Sequence, residues 1–97
     1  MNRDQILSTL RGHAAELRRL GASRLFLFGS VSRDEAGPSS DVDLFFDFDD
    51  PRFSIVELVA LQDRVSNLLH ARTDIMSRGS IHPRLRSSIE GSAVQVC

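Results

Sequence analysis

The sequence predicts a single α/β domain, a small sheet backed by helices, and three observations carry that expectation. Segments with helical spacing alternate with short apolar runs in the order α-β-(α)-β-α-β-α. No linker, repeat or low-complexity tract interrupts the alternation, so residues 1–97 read as one domain. The length of 97 residues and the apolar share of 41% suit one ordered core, near the lower end of what is self-sufficient.

The elements follow in order. Residues 4–20 form an amphipathic helix in which Ile6, Leu7, Leu10, Ala14, Leu17 and Leu20 keep helical spacing, with Gly21 as the stop. Arg24-Leu25-Phe26-Leu27-Phe28 is a nearly all-apolar strand, which argues for a central position. Val31 to Asp34 make a short helix capped by Ser30, and Glu35 to Ser40, containing Gly37-Pro38-Ser39-Ser40, make a loop. Residues 41–48 are the second strand, closed by Asp49-Asp50-Pro51. Ser54 caps a long helix to about His70, with Ile55, Leu58, Val59, Leu61, Val65, Leu68 and Leu69 on its apolar face and Glu57, Asp63 and Arg64 opposite. Ala71 to Met76 form a third strand. His82-Pro83 opens a last helix with Leu85, Ile89 and Val94 facing inward.

Composition excludes several classes of function. The net charge of -1 gives no bulk drive toward nucleic acid or an anionic membrane, so neither is an expected partner. All 12 basic residues are arginine, a composition that suits phosphate recognition and equally reflects base content of the gene. One cysteine, Cys97, cannot build a disulfide framework and fits a reducing compartment. The first residues lack the apolar stretch of a signal peptide and no segment reaches transmembrane length, so a cytoplasmic protein is expected.

The chemistry gathers at Gly29-Ser30 and, ten residues on, at Asp41-Val42-Asp43. Strand side chains alternate, so Asp41 and Asp43 project to one face and Val42 and Leu44 to the other. Carboxylates so placed repel each other, and a hard divalent cation such as Mg2+, which takes carboxylates together with substrate phosphates, resolves that repulsion. Glycine before a helix start allows close main-chain approach to a phosphate. Phosphate cradle and metal carboxylates together indicate nucleotide chemistry. The bland alternatives are a turn in which the aspartates cap main-chain N–H groups, and a plain strand-to-helix turn at Gly29-Ser30. Arg33, one helical turn past Ser30, either reaches the same phosphates or is a surface arginine. Asp74, in the strand Thr73-Asp74-Ile75-Met76, reads on its own as a structural residue. Asp47, Asp49 and Asp50 read as solvated strand-end acids, and His13, His70 and His82 have no partner at metal-ligand spacing.

Phe28-Gly29-Ser30-Val31-Ser32-Arg33 followed by Ser40-Asp41-Val42-Asp43-Leu44 resembles the signature of the DNA polymerase beta-like nucleotidyltransferases. The short length and Arg33 resemble the minimal, MNT-type branch, and the likeness spans roughly residues 5–90. One departure is Asp34, where the family commonly has glycine. The resemblance implies a mixed sheet of the nucleotidyltransferase fold. It implies Asp41, Asp43 and Asp74 as catalytic residues and ligands of two Mg2+ ions, Asp74 being the third acid on the strand after the long helix. Gly29, Ser30 and Arg33 would bind the phosphates of ATP. MNT-type proteins are typically antitoxins paired with a small helical HEPN-type toxin, a ribonuclease, on which they adenylylate a tyrosine. The implied function is therefore transfer of AMP from ATP to a hydroxyl of such a partner. The alternatives are a non-catalytic antitoxin that occludes the partner, and a small-molecule nucleotidyltransferase, for which this short chain has little room to build an acceptor pocket. Nucleotide preference and oligomeric state stay open.

Overall fold

A computed structural model describes residues 2–33 and 41–97. Helix α1 (Arg3–Gly12) opens with a reciprocal cap: Asn2 accepts from the Gln5 N–H, and the Gln5 side chain accepts from the Asn2 N–H. The expected helix over 4–20 is two helices, because the chain leaves helical geometry at His13 and resumes as α2 (Ala14–Arg19). Gly12, a poor helix residue, sits at the break. Strand β1 (Arg24–Phe28) ends in a single helical turn, α3 (Gly29–Ser32), which starts two residues before the expected Val31. Phe28 rather than Ser30 occupies the N-cap, with no side-chain cap, which corrects the Ser30 assignment. Asp34 and the expected loop from Glu35 to Ser40 lie outside the described residues.

Strand β2 (Val42–Asp47) is followed by α4 (Ile55–Leu69), whose N-terminus carries the expected Ser54 cap, completed by Glu57 reaching back to the Ser54 N–H. Strand β3 (Thr73–Ser77) starts two residues later than expected and runs into a 3-10 turn at Arg78–Ser80. Helix α5 (Pro83–Ser92) has Pro83 at its first position, and the His82 ring accepts the Arg84 N–H. A final strand, β4 (Val94–Gln95), was not expected. Val94 belongs to it rather than to the last helix.

The sheet order is β3-β2-β1-β4, with β1 antiparallel to both β2 and β4, and β2 parallel to β3. β1 is therefore an inner strand, as its apolar run predicts. One sheet face (Leu25, Leu27, Val42, Leu44, Phe46, Ile75) packs on Ile6, Leu7 and Leu10 of α1, Leu17 of α2, and Leu61, Val65 and Leu69 of α4. The other face carries Phe28, Phe45, Phe26 and Met76 under Ile81, Ile89 and Ala93, on and around α5. The result is three layers, helices on both sides of a four-stranded mixed sheet. Leu85 does not face inward as expected but is 55% exposed, and Ile55 and Val59 of α4 are also exposed. Among the described residues no helix is long and apolar enough to cross a membrane.

Candidate active site

Two registers bring the sequence candidates together. Phe28, the last residue of β1, is level with Asp43, and Asp43 is level with Asp74 across the parallel pair. The end of β1 and the starts of β2 and β3 thus meet at one end of the sheet. Side-chain alternation puts Asp43 and Asp74 on the face of Phe28, Phe45 and Met76. Asp41 lies just before β2 and is exposed, Asp43 is half-buried, and Asp74 is exposed.

Gly29 is what allows the turn to lie against this acid. Its φ of 78° is left-handed, a region that costs any other residue strain. A Cβ at Gly29 would collide with the Asp43 carboxylate, with Asp43 Cβ and Cγ each 3.3 Å away. The turn is fastened from below. The buried Ser32 hydroxyl donates to the Gly29 carbonyl at 2.8 Å, and the Arg3 guanidinium donates to the Ser32 carbonyl at 3.2 Å. Ser30 is half-buried, and its carbonyl accepts the N–H of Arg33, the exposed residue that ends α3. With only one turn of helix, α3 has little macrodipole to offer an anion, so a phosphate here would rely on the N–H groups of the turn itself.

The electrostatics are those of crowded like charges. Burial pushes the Asp43 carboxyl above its ordinary value, and the neighbouring charges of Asp74 and then Asp41 push it further. Among the described residues no three acidic, histidine or cysteine side chains close around one point. The donor set itself fits a hard cation: it is carboxylate oxygen throughout, and the repulsion it carries is what a divalent ion relieves. Asp41, Asp43 and Asp74 are the residues that would hold one.

Farther along the same face lies a group that the sequence did not reveal. Arg78, just after β3, forms a two-pronged ion pair with Asp47 (2.8 and 3.1 Å) and meets Glu90 of α5 at 3.3 Å. Its guanidinium also lies over the rings of Phe26 and Phe45, 4.8 and 5.0 Å from their centroids. Asp47 is therefore not a solvated strand-end acid: it ties β2 to the turn after β3. The only signal for it was its place two residues beyond Phe45 and four beyond Asp43, on one strand face. Asp50 is held by Arg52 at the surface. His13 pairs with Glu16 at 3.3 Å and His82 caps α5, which are structural roles.

Comparison with known proteins agrees with the fold. Residues 10–96 match the family described as the nucleotidyltransferase domain. The chain is 32% identical over 94 residues to MJ0126 of Methanocaldococcus jannaschii, named as a candidate protein adenylyltransferase, with 95% of each chain covered. It is also 32% identical over 94 residues to the protein adenylyltransferase MntA of Thermococcus cleftensis, covering 96% of this chain and 94% of that one. Among solved structures, a candidate minimal nucleotidyltransferase superposes with a TM-score of 0.84 at 32% identity, over 97% of this chain and 95% of that one. A chain from the complex of a tri-AMPylated Shewanella oneidensis HEPN toxin with an MNT antitoxin shares the fold, with a TM-score of 0.66 at 17% identity, over 94% and 71%.

Proposed function

Because the chain belongs to the nucleotidyltransferase domain family, we propose that it is a metal-dependent protein adenylyltransferase that moves AMP from ATP onto a tyrosine of a small helical HEPN-type toxin. The observation that carries this reading is the level placement of Asp43 and Asp74 beside the Gly29 turn. The names of its relatives, MntA and the toxin-antitoxin complex among them, support the class of acceptor.

In this reading the N–H groups of the Gly29-Ser30 turn and the Ser30 hydroxyl bind the β and γ phosphates, and Arg33 reaches the same oxygens. Asp41, Asp43 and Asp74 would hold the Mg2+ ions, two in number. Bound there, Mg2+ supplies neutralisation of the triphosphate and a lowered pKa for the acceptor hydroxyl. The acceptor oxygen forms a bond to the α-phosphorus while the bond from that phosphorus to the α–β bridging oxygen breaks, and pyrophosphate leaves. The hydroxyl proton passes to the Asp74 carboxylate. Alignment and charge placement do most of the work, with no covalent enzyme intermediate.

The chain contains no tyrosine, so a tyrosine mark has to lie on the partner. Incubating the purified pair with ATP and Mg2+ should add the mass of AMP to the partner alone. Asp43→Asn should abolish the mark while the complex still forms. A partner that is fully neutralised yet unmodified would overturn catalysis and leave a binding antitoxin.

A further inference from the structure

The sheet has two outer edges, and they differ. β4 is two residues long, and Arg11 of α1 donates to the carbonyls of Gln95 (2.9 Å) and Val96 (3.2 Å), so side-chain nitrogens occupy that edge. β3 is five residues long and carries no lysine or proline, the residues that usually blunt an edge. Its parity is fixed by one bond: the Val42 N–H donates to the Arg72 carbonyl, with Val42 level with Thr73. The main-chain groups of Asp74 and Met76 therefore face β2, and those of Thr73, Ile75 and Ser77 face outward. Gln62 of α4 donates to the Thr73 carbonyl at 3.2 Å. Among the described residues nothing bonds the outward groups of Ile75 or the Ser77 N–H.

This edge, at which Ile75 is 5% exposed and Ser77 half-buried, lies on the side of the site where an acceptor has to arrive. Across the sheet the order is the Gly29-Ser30 turn, then Asp43, then Asp74, then the edge. Phosphoryl transfer runs in line, with attacking and leaving oxygens on opposite sides of the phosphorus. If the β and γ phosphates rest at the Gly29-Ser30 turn, pyrophosphate leaves toward β1 and the nucleophile comes from beyond Asp74. We propose that the acceptor protein docks on the outer edge of β3 as an extended segment, which adds a strand to the sheet and carries its hydroxyl side chain level with Asp74. A residue level with Asp74 on such a strand shares its face, with Cβ atoms about 4.5–5.5 Å apart. Main-chain bonds to Ile75 and Ser77 supply the docking, and the aligned hydroxyl supplies the selection.

The inference rests on the adenylyltransferase reading, and the experiment separates the two. The probe is the purified acceptor protein that takes AMP in the assay above. In its complex with the parent chain, the Ile75 and Ser77 amides should exchange with deuterium at least tenfold more slowly than in the free chain. The Asp74 and Met76 amides, already bonded to β2, should change little. Ser77→Pro removes one outward N–H and should lower transfer at least tenfold, while the rise in melting temperature with Mg-ATP stays at the parental size. Ser77→Ala keeps the N–H and should transfer at the parental rate. Transfer with unprotected Ile75 and Ser77 amides, or undiminished transfer by a folded Ser77→Pro chain, overturns the docking mode and leaves the adenylyltransferase standing. No transfer by the parent chain to any helical partner overturns both.

Discussion

Asp43 is held where its charge is least welcome, and that has a measurable sign. A carboxyl whose folded pKa is raised binds its proton more tightly folded than unfolded. Its penalty is absent below the ordinary value of 3.8, grows as pH rises through the window up to the folded value, and is complete at neutral pH. Asp43→Asn removes the charge. Without divalent cations, the variant should melt a few degrees above the parent at pH 7, on a scale of about 4–8 °C per kcal/mol for a domain of this size. At pH 3 the gap should close. A gap of the same size at both pH values in differential scanning calorimetry would mean that the charge is not the cause. The spacing of Asp41 and Asp43 was legible in the sequence because strand alternation is a local rule. The contact between Gly29 and the Asp43 carboxylate was not, because it joins residues on two strands whose register nothing local specifies.

At the scale of elements, caps and periodicity were readable, and burial was less so. Ser54 was identifiable because a serine three residues before Glu57, ahead of an apolar run, satisfies two free N–H groups at once. Ser54→Ala should lower stability by about 1 kcal/mol in urea melts, with no change in slope; an unchanged midpoint would show that the cap is dispensable. Helical spacing in α4 marks an apolar stripe but cannot say how far the sheet extends beneath it. Hence Ile55 and Val59 were assigned inward and stand exposed, as does Leu85 of α5. β4 escaped notice because two residues are too few for any period, and it exists only because β1 offers an edge. The break at His13 interrupts an apolar pattern that both helices continue, so the pattern alone reads as one helix.

For the molecule as a whole, order and direction of strands came from outside local physics: alternation of elements predicts layers, whereas the mixed sheet followed only from the family resemblance. The Arg78 cluster, which joins β2, the turn after β3 and α5, is tertiary, and its one local signal was the place of Asp47 on the strand face of Asp43 and Phe45. Pairing with Asp47 and Glu90 holds the Arg78 guanidinium above its ordinary pKa, through the Asp47 hydrogen bonds first. Arg78→Met keeps much of the apolar stem and removes the charge, leaving Asp47 unpaired. Because the pair is partly exposed, the loss should be about 1–2 kcal/mol, with a lower urea midpoint and a depressed Tm. A neutral result would make the cluster ornamental to stability. The registers of β1, β2 and β3 carry a different consequence, one of quality control. A slip of one residue between β2 and β3 would turn Asp74 to the opposite face from Asp43, and would drive Thr73 and Met76 into the wrong layers. Mispaired chains would then lose core and site together, so, on the adenylyltransferase reading, the fraction of a preparation that answers to Mg-ATP would count its correctly threaded molecules.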